Sequence, residues 1–449
     1  YAGRLEEERD SLPYKMVPGP QPAFRCCIYR EREVIRQRIR LAEGKAPGAE
    51  DDGNIVQVIN SACEGCPISR YVVTDNCQKC MGKACQAACR FGAISMGRDK
   101  SYIDPSKCKE CGQCAKACPY NAIADLVRPC MKSCPVDAIS VADNGTGIAV
   151  INQDKCIQCG SCVHKCPFGA IGSKTFIVDI IKKMRSDIKE FGADITMASW
   201  RTALKKIGFY DVVDVSLGAD MTAMNEAKEW IEAKEKGEKK TTSCCPAFKN
   251  YIEKHFPTLK DAISETVSPM CAASRYIKEK FPGAVTVFIG PCIAKKAESM
   301  SGEKDTADYA LTYGEIRAML RAKGVKLEPE EDTDDQGSIY GKKFANAGGV
   351  TAAVLESMKE LGCTGDVSVC KCSGITECKK ALTLMKVGRL PEDFIEGMVC
   401  EGGCVGGPSR HRDPNLAMRD RNAALAKSSD ILIKDNLDKQ NAETVDMIR

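Results

Sequence analysis

Histidine is scarce in this 449-residue chain, with three copies (His164, His255 and His411), so a histidine-rich metal site is not expected. Long apolar runs are missing too. No stretch of about 18 consecutive apolar residues occurs, and the segment from Tyr1 to Asp51 is charged throughout. Neither a membrane span nor a secretory signal is therefore expected, and the chain reads as soluble and cytoplasmic. At 43% hydrophobic residues it can bury a sizeable core, and its length suggests about two to four domains. The basic stretch from Arg25 to Lys45 reads as the solvated face of an amphipathic helix near Phe24 to Gly44 rather than as a nucleic-acid patch. What the chain has in abundance is cysteine, with 28 copies. Disulfides would explain such a count in a small secreted domain. In a long chain whose cysteines fall in Cys-x-x-Cys runs, metal ligation is the better explanation.

Composition divides the chain into a charged extension (1–62), a cysteine-dense region (63–172) and a region of alternating apolar strands and amphipathic helices (173–449). Within the cysteine-dense region a motif recurs four times: Cys89-RFG-Ala93-Ile94, Cys118-PYN-Ala122-Ile123, Cys134-PVD-Ala138-Ile139 and Cys166-PFG-Ala170-Ile171. Two cysteine runs have matching lead-ins, Ile103-DPSK-Cys108 and Ile151-NQDK-Cys156, each predicting a short strand that enters a metal-binding loop. In the last region Asp211 to Leu217 and Ala284 to Ile289 read as buried strands. Helical periodicity covers Asn225 to Glu235 and Ala272 to Lys280. Cys292 and Cys400 each follow an apparent strand, where open α/β sheets place ligand-binding groups.

A cubane iron-sulfur cluster needs four thiolates, and a tight loop with cysteines three apart supplies three. Cys108-x2-Cys111-x2-Cys114-x3-Cys118-Pro119 and Cys156-x2-Cys159-x2-Cys162-x3-Cys166-Pro167 match the bacterial ferredoxin spacing, in which the last cysteine serves the neighbouring cluster. The region then reads as two tandem ferredoxin-like modules. The crossover rule groups Cys77, Cys80, Cys85 with Cys118, then Cys108, Cys111, Cys114 with Cys89, then Cys156, Cys159, Cys162 with Cys134. Cys130 and Cys166 are left as half a site, and Cys63 with Cys66 would complete it by folding back. Alternatives are a site using Cys26 or Cys27, or a zinc ribbon at Cys63 and Cys66.

Three later segments, Thr242-SCCPAF, Gly290-PCIAKKAE and Glu396-GMVCEGGCVGG, resemble in content and order the three signature motifs of the iron-iron hydrogenases, and most resemble a divergent clostridial subgroup. The resemblance extends more weakly over about residues 60 to 425. It implies α+β ferredoxin-like modules followed by an α/β two-lobed catalytic domain. It also implies an H-cluster, a 4Fe-4S cubane joined through one cysteine to a two-iron azadithiolate unit carrying CO and CN. By motif, Cys245, Cys292 and Cys400 would hold the cubane, and Cys404 would hold it while bridging. Lys295 would bind a cyanide and Met398 would pack by the iron site. An ordinary surface lysine and plain core packing are the alternatives for these two.

In the family a thiol equivalent to Cys244 passes protons, and an acid and hydroxyl chain continues the path. Here that implies a relay in the order Glu226, Ser264, Glu229, Cys244, with solvent exposure as the alternative for both glutamates. Ala233 replaces an arginine often found at the relay's outer end, leaving the surface entry open. Ala247-Phe248, Gly290, Met270 and Gly407-Pro408-Ser409 also depart from the family pattern, in places that tune potential and access. Cys271, Cys363, Cys370, Cys372 and Cys378 read as buried thiols, with an unrecognised bound group as the alternative for Cys370-x-Cys372. The resemblance implies reversible proton reduction to hydrogen, four accessory 4Fe-4S clusters, a soluble electron carrier such as ferredoxin or flavodoxin, and maturation proteins for the two-iron unit. It implies no nucleic-acid or membrane partner. The rivals are a hydrogenase-like iron-sulfur assembly protein without the two-iron unit, and a non-catalytic electron-transfer or hydrogen-sensing subunit.

Overall fold

The computed structural model describes residues 4–48, 51–66, 69–142, 145–183, 197–328, 330–331, 336–363, 365–410 and 431–449, with isolated positions between 413 and 425. No described helix is long and apolar enough to cross a membrane. The chain builds two kinds of sheet. Up to residue 173 it makes antiparallel ribbons of two short strands, and beyond 239 it makes parallel sheets.

Four ribbons carry the cysteine-dense region. Tyr71–Val73 pairs with Ile123–Asp125 and Ile94–Met96 with Ser101–Ile103, while Ile139–Val141 pairs with Ala149–Ile151. The fourth joins Val56–Val58 to Ile171–Ser173. Composition had left Val56–Val58 in the charged extension, but its buried side chains close the ribbon that follows the last cysteine run. One ferredoxin-like unit is thus inserted between the first strand and the rest of the other, which returns Cys63 and Cys66 to the outer module.

The fourfold repeat has a local cause. The third residue after each cysteine, Gly92, Asn121, Asp137 or Gly169, has a positive φ, between 49° and 61°. Glycine, asparagine and aspartate tolerate that conformation best. The turn aims the next amide back at the sulfur: Ala93, Ala122, Ala138 and Ala170 donate N–H to the Sγ of Cys89, Cys118, Cys134 and Cys166 at 3.3, 3.4, 3.2 and 3.3 Å.

The helix Ile28–Ala42 lays Val34 and Leu41 against Ile55, Val56 and Ile171. Its arginines do more than face solvent. Arg38 donates to Gly169 O at 3.1 Å, and Arg25, just before the helix, donates to Ala62 O at 3.1 Å.

Farther on, the strand expected over Asp211 to Leu217 is not there. A 21-residue helix, Val215–Glu235, begins instead, because the Asp214 carboxylate caps it by accepting the Ser216 N–H at 2.8 Å. This helix is buried on most sides, against Pro269–Lys280, Gly349–Glu360 and Ile433–Gln440. Beside it lies a parallel sheet in the order Val369–Ser373, Phe394–Met398, Lys240–Thr241. A second parallel pair joins Val287–Gly290 to Tyr309–Thr312. The expected strand before Cys292 is therefore present, starting three residues later and ending one residue later than the apolar run suggested.

The two halves share contacts. Gly160, with φ +77°, leaves room for Ile293, since a Cβ there would lie 2.4 Å from the Ile293 Cδ1. Lys254 Nζ donates to Gln153 O and Cys156 O at 2.7 and 2.8 Å, and buried Lys296 donates to Lys174 O at 2.8 Å.

Candidate metal centre and proton path

Three of the parallel strands, Lys240–Thr241, Val287–Gly290 and Phe394–Met398, lead into cysteine loops. Thr241 leads into Thr242, whose N–H donates to Ile395 O at 2.9 Å and whose hydroxyl accepts the Gly397 N–H at 3.1 Å. This lacing holds Cys244 and Cys245 against the end of Phe394–Met398, from which Cys400 follows. Gly397 admits the Phe248 ring, which a Cβ would meet at 2.2 Å. Cys404 is tied down by its N–H to Ala345 O at 2.8 Å.

Cys245, Cys292, Cys400 and Cys404 come together. Burial, followed by the proximity of Cys404 and Cys245, pushes the Cys292 thiol up to about 12. The Cys400 thiol is raised by burial and then by Cys292, Cys245, Cys404 and Cys159. Thiols arranged this way resist ionising alone and are relieved by a cationic iron core, which is the chemistry a cubane supplies. Cys159 beside Cys400 also puts the nearest accessory group next to this centre.

The accessory cysteines gather as follows. Burial, and then Cys159, Cys156 and Cys134, raise the Cys162 thiol, and burial, and then Cys159 and Cys134, raise Cys156, which groups these four. Cys63, Cys66, Cys130 and Cys166 form a second group, in which burial, with those neighbours adding to it, pushes Cys130 up to about 11. Cys89, Cys108, Cys111 and Cys114 line one cavity with Tyr71. Of the last set, Cys77 and Cys85 both approach Ser101 Oγ, at 3.8 and 4.0 Å. Among the described residues no three or more His, Cys, Asp or Glu are placed to hold a single metal ion. A cubane holds its thiolates on four separate irons and needs a wider cage than one zinc does. Cys26 and Cys27 are both exposed.

Lys295 is not a surface lysine. It is 8% exposed, and its ammonium donates to Glu298 Oε2 at 2.6 Å, Ser268 Oγ at 2.8 Å and Cys244 O at 3.3 Å. Burial opposes its charge, but Glu298, followed by Cys292 and Cys244, outweighs that and raises its proton affinity. Glu298 and Ser268 were not singled out from sequence; the i,i+3 spacing of Lys295 and Glu298 on one helix was the available signal. Met398 is buried in the core that includes Cys244 and Trp230.

The structure places the two glutamates in the opposite order to the expected one. Glu226 is fully buried and faces Cys244, while Glu229 lies outward with an 18% exposed side chain. Ser264 Oγ donates to Glu229 Oε2 at 2.6 Å. Both Glu226 oxygens lack a partner at hydrogen-bonding geometry, although the Ser243 backbone and the Ser264 hydroxyl stand close by. Burial, and then Glu229, pushes Glu226 up to about 8, which favours its protonated form. The reversal follows from helix geometry: of two residues one turn apart, Glu226 lies over the thiol and Glu229 over the open edge beside Lys240. Cys244 itself is raised first by burial and then by Glu226.

Of the extra cysteines, Cys271, Cys372 and Cys378 are buried and Cys363 and Cys370 are partly so. Cys370 and Cys372 Sγ lie 3.9 Å apart, and the Cys378 thiol donates to Met398 O at 3.7 Å.

Grouped thiols on ferredoxin-type loops, leading to a buried set of four cysteines beside a lysine and an acid chain, define an iron-sulfur redox protein. Family comparisons narrow this. Residues 174–408, more than half of the chain, match the family described as "Iron only hydrogenase large subunit, C-terminal domain", and the chain belongs to that family. Residues 101–124 match a 4Fe-4S binding domain and 128–170 a 4Fe-4S dicluster domain. Iron hydrogenase 1 of Clostridium pasteurianum is 30% identical over 293 residues, covering 54% of this chain and 51% of that protein. The periplasmic [Fe] hydrogenase large subunit of Nitratidesulfovibrio vulgaris is 30% identical over 264 residues, covering 47% and 62%. The chain thus spans between half and two thirds of the length of these relatives. A solved [FeFe]-hydrogenase HydA1 variant from Chlamydomonas reinhardtii is 23% identical, with a TM-score of 0.46 over 55% of this chain and 83% of that one.

Proposed function

We propose that this protein interconverts protons and molecular hydrogen at an H-cluster, with electrons passing through four accessory 4Fe-4S clusters to or from a soluble carrier. In this reading residues 63–172, with Val56–Val58 joined to them, form the tandem ferredoxin-like domain. Residues 173–449 form the catalytic domain, its two parallel sheets being the cores of two lobes, and 1–62 is the extension. Cys245, Cys292, Cys400 and Cys404 hold the cubane, and Lys295 supplies a positive anchor for the anionic ligands of the two-iron unit. The accessory ligands are the four groups named above. The bound centre supplies the redox chemistry of hydrogen.

The protein's own part is to move a proton and exclude water. Glu226 holds a proton within reach of Cys244, Ser264 bridges it to Glu229, and Glu229 meets the surface. The observation that carries this reading is the placement of Cys244: a buried thiol between the buried Glu226 carboxyl and the group of Cys245 and Cys404. Such a thiol can gain and lose a proton without reorganising its surroundings.

Replacing Cys244 with alanine and maturing the protein anaerobically tests this reading. The variant is expected to keep the iron content and infrared CO and CN bands of the wild type while hydrogen turnover falls by about 100-fold or more. Retained turnover would remove Cys244 from the path. A matured wild type with neither bands nor turnover would sink the hydrogenase reading and favour an assembly protein.

A further inference from the structure

Ala233 leaves the outer end of the acid chain without the arginine that the family resemblance suggests, and the fold brings a different cation to that place. Lys240 Nζ lies 3.5 Å from Glu229 Oε1. The two side chains are 16% and 18% exposed, so the pair forms the boundary between protein and solvent. Lys240 is the first residue of the strand Lys240–Thr241, which pairs with Phe394–Ile395 and runs directly into Thr242-SCC. Its ammonium also approaches Asp261 O at 3.4 Å.

Donors surround the Glu229 carboxylate. Besides Ser264, the Thr266 hydroxyl donates to Oε2 at 3.1 Å and the Glu265 N–H to Oε1 at 3.1 Å. Asn225 Nδ2 in turn donates to Thr266 Oγ1 at 2.8 Å, orienting that hydroxyl toward Glu229. The Glu229 carboxyl thus receives three hydrogen bonds beside the ion pair, which fixes the direction it faces. One turn away Glu226 has the opposite surroundings, buried and without a partner. One hydroxyl, that of Ser264, stands near both acids, the inner one unpartnered and the outer one ringed by donors. Beside Glu229 stand Glu226 on its own helix and Lys240 on the strand; the segment from Ser264 to Thr266 contributes two hydroxyls and the Glu265 N–H, and Glu265 itself is an exposed titratable residue.

We infer that Lys240 is the positioning residue at the surface end of the proton path: its ammonium fixes the Glu229 carboxylate at the boundary where protons exchange with solvent, in place of the arginine lost at Ala233. The inference rests on the hydrogenase reading for its purpose but not for its test, because the pairing can be measured without turnover.

The experiment titrates the Glu229 carboxyl by infrared difference spectroscopy in protein carrying its cubane clusters but not the two-iron unit, with E229Q identifying the band. K240M is expected to raise the Glu229 midpoint by about half a pH unit, as loss of a partly exposed ion pair should, and K240R to restore it. In matured enzyme the acid limb of the hydrogen-evolution pH profile should move in the same direction for K240M and return for K240R. A merely structural lysine would change thermal stability and leave both titrations in place. Superimposable titrations for wild type and K240M would overturn the inference. Failure of the hydrogenase reading is distinguishable, because wild type would then make no hydrogen while the Glu229 band still shifted with Lys240.

Discussion

Glu396, the first residue of the third cysteine motif, offers a sharp test of how that motif is held. Its side chain is 1% exposed and lies at the start of the helix Gly349–Glu360. One oxygen accepts the Gly348 N–H at 2.8 Å, and the other accepts the Thr351 N–H at 3.0 Å and the Thr351 hydroxyl. These N–H groups belong to the helix end, where the first amides have no intrahelical partner and the dipole favours an anion. Hydrogen bonds to a charged group contribute about 1.5–3 kcal/mol each. Relaxation and water entry recover part of the loss, so E396A should cost about 3–5 kcal/mol, in the range for breaking a buried charged contact. E396Q keeps one acceptor oxygen but turns an N–H donor toward donors, and should cost about 2–3 kcal/mol. For a unit of this size that corresponds to a fall of roughly 6–20 °C in Tm for E396A. Glu396 lies on the strand that ends two residues before Cys400, so the iron held by Cys245, Cys292, Cys400 and Cys404 should fall with it. Calorimetry, hydrogen exchange at the Gly348 and Thr351 amides, and iron analysis together decide. An E396A protein within 1 kcal/mol of wild type, with both amides still protected, would refute the reasoning.

Two further predictions follow from buried groups. Asp220 is fully buried, accepting from Ser338 N at 2.8 Å, Ser338 Oγ at 2.5 Å and Asn436 Nδ2 at 2.7 Å, and burial pushes it up to about 7. Because its folded value lies above the unfolded one, its contribution to stability is complete below about pH 4 and is lost as pH rises through 7, by up to roughly 4 kcal/mol. Urea midpoints at pH 5 and pH 8 should therefore differ less in D220N than in wild type, and an equal difference would exclude the effect. Gly160→Ala should cost about 2–4 kcal/mol, because its φ of +77° disfavours a side chain and the new Cβ would press on Ile293 beside Cys292. Thermal melts showing no loss would mean that the two halves are not in close contact there.

How much could be read from sequence depended on how local the cause was. The Cys-x-x-Cys loops and the Cys-x3-Ala repeat were legible because each cysteine, turn residue and returning amide fall within five positions. Val215–Glu235 was partly misread because Val212, Val213, Val215 and Leu217 suggest a strand, and only Asp214 marks the cap that starts a helix. The order of the acid chain was not legible at all. Spacing puts Glu226 and Glu229 on one face, but which of them points inward is settled by Cys244 and Lys240, both contributed by the segment after the helix. Lys240 itself was hidden in the run Lys236-GEKKT, where a single lysine carries no signal, and its identity as a partner arises only from parallel pairing with Phe394.

The adjacent residues Cys244 and Cys245 bring these threads together. Cys244 belongs to the core around Trp230, Met398 and Val267, on the side of Glu226 and the surface acid. Cys245 borders a different core with Phe248, Tyr251 and Cys292, on the side of Cys400 and Cys159. In the proposed reading, protons and electrons therefore approach through separately packed regions and meet across one peptide bond. Packing around Cys244 can then be altered to tune the proton route while the cluster chain beside Cys245 stays intact, whereas changes near Phe248 and Gly397 should act first on the cubane. The departures at Ala247-Phe248 fall on the second side, so their effect belongs with electron transfer at the cubane rather than with the path through Glu226.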